Sequence, residues 1–241
     1  MSLLFKKEIE INESVSIKIP TLKEILQIAS EDVYYNNVLS ICANPKDYAL
    51  PLHNMGLKYT KLTEYELFNL MFPMYQETVR NTKLDFIFAK DITLLEMKQD
   101  ENTNELSWYN KDGQKVIDKY THSLIDERLR ELTGIEKNIK KAGNSIQYER
   151  EIKKKKEELK KKSDNKTSFL ENEIIMTVND CNFKYDYETV LNLTLYQFNK
   201  SVKQILHSKE LDYIKSSAYV GMFDIKKLKS EETSLIPITN K

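Results

Sequence analysis

Asp118, His122 and Asp126 stand at i, i+4 and i+8. On a helix this spacing puts three potential zinc ligands on one face. Along a straight helix, however, the outer two are about 12 Å apart at 1.5 Å per residue, too far for one ion. The simpler reading is a His122–Asp126 pair on a solvent-facing side, and no metal or cofactor is assigned. His53 and His207 have no nucleophile near them in sequence and read as surface or loop histidines. The dinucleotide, phosphate-loop, nucleophile-elbow and zinc-protease motifs are all missing. No catalytic residue is therefore assigned and no enzymatic activity is expected. Carboxylates gathered by the fold are the one route left to such activity. Trp108 beside Tyr109 could stack on a base or sugar, but a single Trp in a hairpin is more often core or interface.

The other candidate for chemistry is "YEREIKKKKEELKKKSDNK", Tyr148 to Lys166. From Lys137 to Lys166, twelve basic and five acidic residues give a formal charge of +7. Arg150, Lys153, Lys154, Lys155, Lys156, Lys160, Lys161 and Lys162 form its candidate basic contact surface. Blocks of like charge often mark interaction arms. The acids here follow helical logic instead: Glu149, Glu151, Glu157 and Glu158 each precede a lysine by four residues, worth about 0.2–0.5 kcal/mol apiece. Ile152 and Leu159 make only a thin apolar stripe. No aromatic interleaves the lysines, as single-strand readers would show. The segment reads first as a protruding, solvated helix or arm, next as a contact for an acidic protein, and last as a nucleic-acid surface.

The whole chain of 241 residues has 37 basic and 37 acidic side chains and a formal charge of zero. It is therefore no general polyanion binder. A 40% hydrophobic content supports a core, and only five Gly and five Pro argue for long regular elements. Cys42 and Cys181 are far apart and lack metal or disulfide spacing. No stretch approaches the roughly 18 consecutive apolar residues of a membrane span, and no signal peptide is recognisable. A reduced cytosolic location fits.

The patterning predicts an α+β, predominantly helical fold. "LLFKKEIEI" and "VSIKI" alternate around "NES" as a β-hairpin that Pro20 ends. Capping boxes at Thr21–Glu24, Thr63–Glu66 and Ser168–Glu171 start helices. A second hairpin or small sheet is expected between Phe86 and Tyr109, around the polar "DENT". "NKDG" is a turn, and Gly56 and Gly134 are helix stops. The clearest helical periodicity is Leu195, Phe198, Val202 and Ile205. These four are the candidate protein-interface stripe, with ordinary core as the competing reading. The expected organisation is an α+β region over 1–134, the basic helix or linker arm over 135–167, a C-terminal helical region over 168–229 and a loose tail over 230–241.

Several segments resemble tail-module proteins of phages and prophages of low-GC Gram-positive bacteria, encoded near the tape-measure gene and read as tail-assembly chaperone-like. These are "IKIPTLKEIL" followed by "YY", "MGLKYTKLTEYELF", "KKAGNSI", the "ER" of Glu149–Arg150, "NDCNFKYDYETVLNLTLYQFNKSVKQI" and "AYVGMFDIKKL". They run in the family's order over most of the chain. The matching residues are Pro20, Thr21, Glu24, Gly56, Glu66, Phe68, Phe183, Tyr185, Gln197, Phe198, Ser201, Val202, Gly221 and Lys227. Residues 153–166 have no firm counterpart in this resemblance. It implies a non-enzymatic assembly factor with the tape-measure or tail-tube protein as partner, and it carries no catalytic residue. The implied location is the cytoplasm of the bacterial host. A structural virion component of the neck or tail is the alternative, which would place the chain in the virion, and a nucleic-acid binder acting through the lysine helix is the third reading.

Overall fold

The computed structural model describes residues 3–29, 31–100, 104–137, 142–161, 169–180 and 183–220. The side chains of 28, 29 and 159–161 lie outside that description. So do Ser168, and with it the expected cap there, Lys162, Cys181, Gly221, Lys227 and the expected tail.

Alternating apolar residues place β1 (Glu8–Glu10) opposite β2 (Ser16–Lys18), with Ile9 paired to Ile17. Asn12 makes the turn: its side-chain oxygen accepts from the amides of Ser14 and Val15 at 2.9 and 2.8 Å. Its amide group donates to the Val116 carbonyl at 3.1 Å, tying the hairpin to the second sheet. The expected first strand starts late. Leu3–Phe5 forms a 3₁₀ turn, because three consecutive apolar residues break the alternation a half-buried strand needs.

The second sheet is a three-stranded antiparallel meander of β3 (Glu96–Gln99), β4 (Leu106–Tyr109) and β5 (Lys115–Ile117). The sequence pattern predicts that this sheet starts at Phe86. That segment instead joins the first hairpin, where Ala89 donates to Ser16 at 2.9 Å and Lys18 donates to Ile87 at 2.7 Å. Local alternation does not say which edge a segment pairs with. The turn before β5 is the expected one, with Gly113 at φ +77°.

The helices are α1 (Glu31–Cys42), α2 (Ala49–Asn54), α3 (Glu64–Thr82), α4 (Lys119–Thr133), α5 (Ser145–Lys161), α6 (Phe169–Val178) and α7 (Leu195–Tyr219). The Thr63–Glu66 capping box opens α3 as predicted. At Thr21–Glu24 the reciprocal bonds also form, at 2.7 and 3.2 Å. The turn behind them, Glu24–Ala29, is wound as a π-helix. Over so few residues the apolar pattern does not separate the two windings. Gly134, at φ +73°, ends α4.

One main core contains Ile17 and Phe88 from the first sheet, Val38 from α1, Phe68 and Phe72 from α3, and Trp108 from β4. It also contains Leu129 from α4, Ile174 from α6 and Phe198 from α7, so the N-terminal region and the C-terminal helices share it. A smaller second core packs Leu50 and Leu52 of α2 and Leu67 of α3 against Tyr59, Tyr148 and Ile152.

Candidate binding surface

The start of α7 is fixed by a capping box absent from the sequence reading. Gln197 donates to Thr194 Oγ1 at 3.2 Å, and Thr194 donates back to the Gln197 side chain at 2.9 Å. The signal was present as "TLYQ", with Gln in place of the commoner Glu. Two antiparallel backbone bonds clamp this helix start to the end of the first hairpin: Leu195 donates to the Pro20 carbonyl at 2.8 Å, and Leu22 to that of Leu193 at 3.0 Å. The Thr21 and Thr194 helix starts therefore lie side by side. The amide group of Gln197 then donates to the Leu4 carbonyl at 2.7 Å, holding the 3₁₀ turn across the junction.

That turn is a ridge between two grooves. Phe5 is 91% exposed and Leu4 41% exposed. On one side, a groove of about 620 Å³ is walled by Lys18, Pro20, Leu84, Phe86 and Gln197. On the other, a groove of about 560 Å³ is walled by Phe183, Tyr185, Leu193, Lys200 and Ile205. Of the predicted interface stripe, Leu195, Phe198 and Val202 face inward and are closed into the main core. Only Ile205 reaches a groove, half-buried. Pro20, Thr21, Glu24, Tyr185, Gln197 and Ser201, far apart in sequence and all among the residues of the resemblance, meet around this ridge.

The acids lining the first groove are engaged in holding the fold. Glu24 accepts from the Thr21 amide and hydroxyl at 2.7 and 2.9 Å. Asp85 accepts from Tyr75 Oη at 2.6 Å and from the amides of Ile87 and Phe88 at 2.9 and 2.7 Å. Burial pushes the Asp85 carboxyl above its ordinary range, against those bonds and the nearby charge of Lys18.

The lysine-rich helix is docked through its first half, contrary to the expectation of a solvated arm. Tyr148 and Ile152, a helical turn apart, are 5% and 2% exposed in the second core. Tyr148 stacks on Tyr59 at 5.4 Å and shares a 3.0 Å hydrogen bond with His53 Nδ1. The Tyr59 hydroxyl donates to Glu151, which also pairs with Lys46 at 3.8 Å. Glu151 thus turns to the body of the protein, away from the expected partner Lys155. Lys155 donates to the carbonyls of Lys46 and Asp47 at 2.6 and 3.1 Å. Burial lowers its pKa, so it is a structural cation and no part of an open basic face. Arg150, Lys153, Lys154 and Lys156 are exposed, with Glu149, Glu157 and Glu158 among them. The side chains of Lys160, Lys161 and Lys162 lie outside the described residues. Tyr148 carried the docking signal, since counting only aliphatic residues makes the stripe look thin.

The Asp118–His122–Asp126 face points inward. His122 and Asp126 are 4% and 6% exposed, which overturns the solvent-facing pair. Asp118 is the N-cap of α4, accepting from the Thr121 amide at 2.8 Å. His122 Nε2 lies 2.9 Å from the Ile41 carbonyl, and its ring sits 4.4 Å from that of Phe68. Burial lowers its pKa. Asp126 pairs with Arg130 at 2.9 Å, and Arg130 reaches on to the Cys42 carbonyl. Three roles over two turns serve the fold, and no cluster of ligands able to hold a metal occurs among the described residues. Burial pushes the Cys42 thiol up to about 12, which keeps it protonated and unreactive. Trp108 is core, donating to Asn69 Oδ1 at 2.9 Å. His53 is a half-buried helical residue, not a loop histidine, and His207 is half-buried on α7.

Residues 153–232 match the family model described as the YomV second domain. That family is of phage and prophage type, so the match supports a phage-associated protein. The YomV-like segment starts within α5 and contains α6, α7 and Ile205 of the second groove. It also takes in residues 153–166, which the resemblance had left without a counterpart. Comparison with curated proteins and with solved structures gives no match. No helix among the described residues is long and apolar enough to cross a membrane.

Proposed function

We propose that the chain is a non-enzymatic phage assembly factor that holds a tail protein, the tape-measure or tail-tube subunit, in the grooves beside Leu4 and Phe5. The observation that carries this reading is the ridge itself. A phenylalanine 91% exposed between two apolar-walled grooves is the arrangement an interface anchor needs. The phage-type match over 153–232 supplies the biological setting. The internal bonding of Glu24 and Asp85 favours a binding role for the first groove over acid–base chemistry.

Co-expression with the neighbouring tape-measure or tail-tube protein, followed by pull-down, tests the proposal. Retention by the wild type is expected, and Phe5→Ser should weaken it by about tenfold or more, as loss of an aromatic anchor does. No retention in low salt refutes the reading. Mass spectrometry of purified particles should find the chain absent. Presence at fixed stoichiometry would make it a virion component of neck or tail instead.

A further inference from the structure

The first groove continues into a second cleft of about 380 Å³ at the end of α3, and the two share Lys18 and Asp85. Six cations line the joined clefts: Lys6, Lys7, Lys18, Arg80, Lys83 and Lys90. Among the described residues, none of the six forms an ion pair with a carboxylate. Lys18 donates to the Asp85 carbonyl at 2.7 Å, and Lys90 donates to that of Glu13. Both bonds position a charge without neutralising it. The three acids lining these clefts are occupied elsewhere. Glu24 caps its own helix turn, and Asp85 serves Tyr75 and two amides. Asp91 accepts from the Thr93 amide and hydroxyl at 2.9 and 2.6 Å. Six cations against three acids leave a belt of excess positive charge along the clefts, on a protein whose formal charge is zero.

The belt has an apolar edge. Leu4 and Phe5 are exposed on the ridge, and Leu84, 42% exposed, stands within the first groove. Leu4, Ile19, Pro20 and Leu84 among the lining residues accept leucine or phenylalanine side chains, and the two aromatic ones, Phe5 and Phe86, are too few for the succession of stacked bases that sequence-tolerant single-strand binding uses. Charge complementarity with an apolar anchor points to peptide. We infer that the joined clefts bind an acidic protein segment whose carboxylates alternate with apolar side chains, the carboxylates meeting the six cations and an apolar side chain packing beside Phe5. This rests on the proposed assembly role and adds the chemistry of the partner. Lys18, at the junction, would contact the middle of the segment, with Arg80 and Lys83 at one end and Lys6 and Lys7 at the other.

Fluorescence anisotropy on the full chain tests this with a labelled peptide alternating glutamate with leucine and phenylalanine. The control peptide replaces the leucines and phenylalanines with serine, and a labelled single-stranded DNA is the third probe. Arg80→Glu/Lys83→Glu should weaken the first peptide about tenfold, and raising salt from about 50 to about 300 mM should do the same, since exposed charges are screened over that range. Both residues are exposed on the end of α3, and circular dichroism checks that the variant folds. The serine control should bind more weakly than the first peptide. Lys153→Glu/Lys154→Glu, on the other basic surface, should leave binding unchanged. Equal binding by wild type and the Arg80/Lys83 variant overturns the inference. So does loss of binding in the Lys153/Lys154 variant only, or DNA binding tighter than peptide through the belt. If tail-protein pull-down survives any of these failures, the groove reading stands without the belt.

Discussion

Replacing Ile152 by alanine separates a docked lysine helix from a solvated one. Ile152 is 2% exposed in a second core that it enters with Tyr148 from among the described side chains of α5. Full burial of each side chain is worth about 1.5–3 kcal/mol. The exposed Lys154–Glu158 pair, at 3.7 Å, adds about 0.3–0.5 kcal/mol. Apolar contact therefore outweighs the surface pair, and it acts beside the docking bonds of Tyr148, Glu151 and Lys155. Ile→Ala in a core removes about 2–5 kcal/mol. The low end applies here, because a peripheral helix can shift to close part of the cavity, so about 2–3 kcal/mol is expected. At tenfold per 1.4 kcal/mol, that is a rise of about 30- to 150-fold in hydrogen exchange for amides of α5 that open by undocking. Amides in the middle of α3, which pack mainly in the other core through Phe68 and Phe72, should change far less. Lys153→Ala, on the exposed side, should change neither. Wild-type α5 amides exchanging at unprotected rates, or Ile152→Ala leaving them as slow as before, would refute the docking of this helix through Ile152.

Lys83 ends α3 at φ +56°, a left-handed conformation that glycine adopts freely. Lys83→Gly should raise stability to urea by about 0.5–1 kcal/mol, the usual benefit of relieving that strain less the added unfolded-state entropy. Trp108→Phe removes the donor to Asn69, which is 8% exposed. A loss of about 2–4 kcal/mol is expected from the unpaired amide oxygen and the smaller ring, read by thermal melting. His122 has its pKa lowered by burial below the ordinary imidazole value of 6.5. The unfolded chain then binds the more protons at this site, so the His122 contribution is complete above pH 6.5 and is lost as pH falls below it. Asp126 and Glu173, both raised chiefly by burial, act with the opposite sign. The urea stability of wild type should therefore fall more steeply on acidification than that of His122→Gln, and parallel curves would remove His122 as the cause.

What was legible in the sequence was whatever depends on near neighbours. The β1–β2 hairpin, the Thr63 cap, the Gly134 stop and the turn at Gly113 each follow from a few adjacent residues whose dihedrals or hydrogen bonds admit few alternatives. The α+β, mostly helical class follows from the same local periods. The stripe of α7 was also legible as a stripe, but periodicity reports only that one face is apolar. Whether Leu195, Phe198 and Val202 meet a partner protein or the rest of their own chain depends on what packs there, and α4 with the first hairpin already does.

The sequence by itself determined helix starts and stops, the hairpin turn and the balance of charge, because these are set within a few residues. Tertiary structure decided the rest. It placed Phe86–Ala89 on the first hairpin and drew His122 and Asp126 inward. It folded Tyr148 and Ile152 against Tyr59 and turned Lys155 into a cap on a distant loop. It brought Phe5, Gln197 and Ile205 together around one ridge, and among the described residues it tied up Glu24, Asp85 and Asp91 while leaving six cations outside any ion pair. The physical reason is the same each time: burial and pairing belong to neighbours in space, and those neighbours come from segments up to about two hundred residues apart, as Gln197 and Leu4 show.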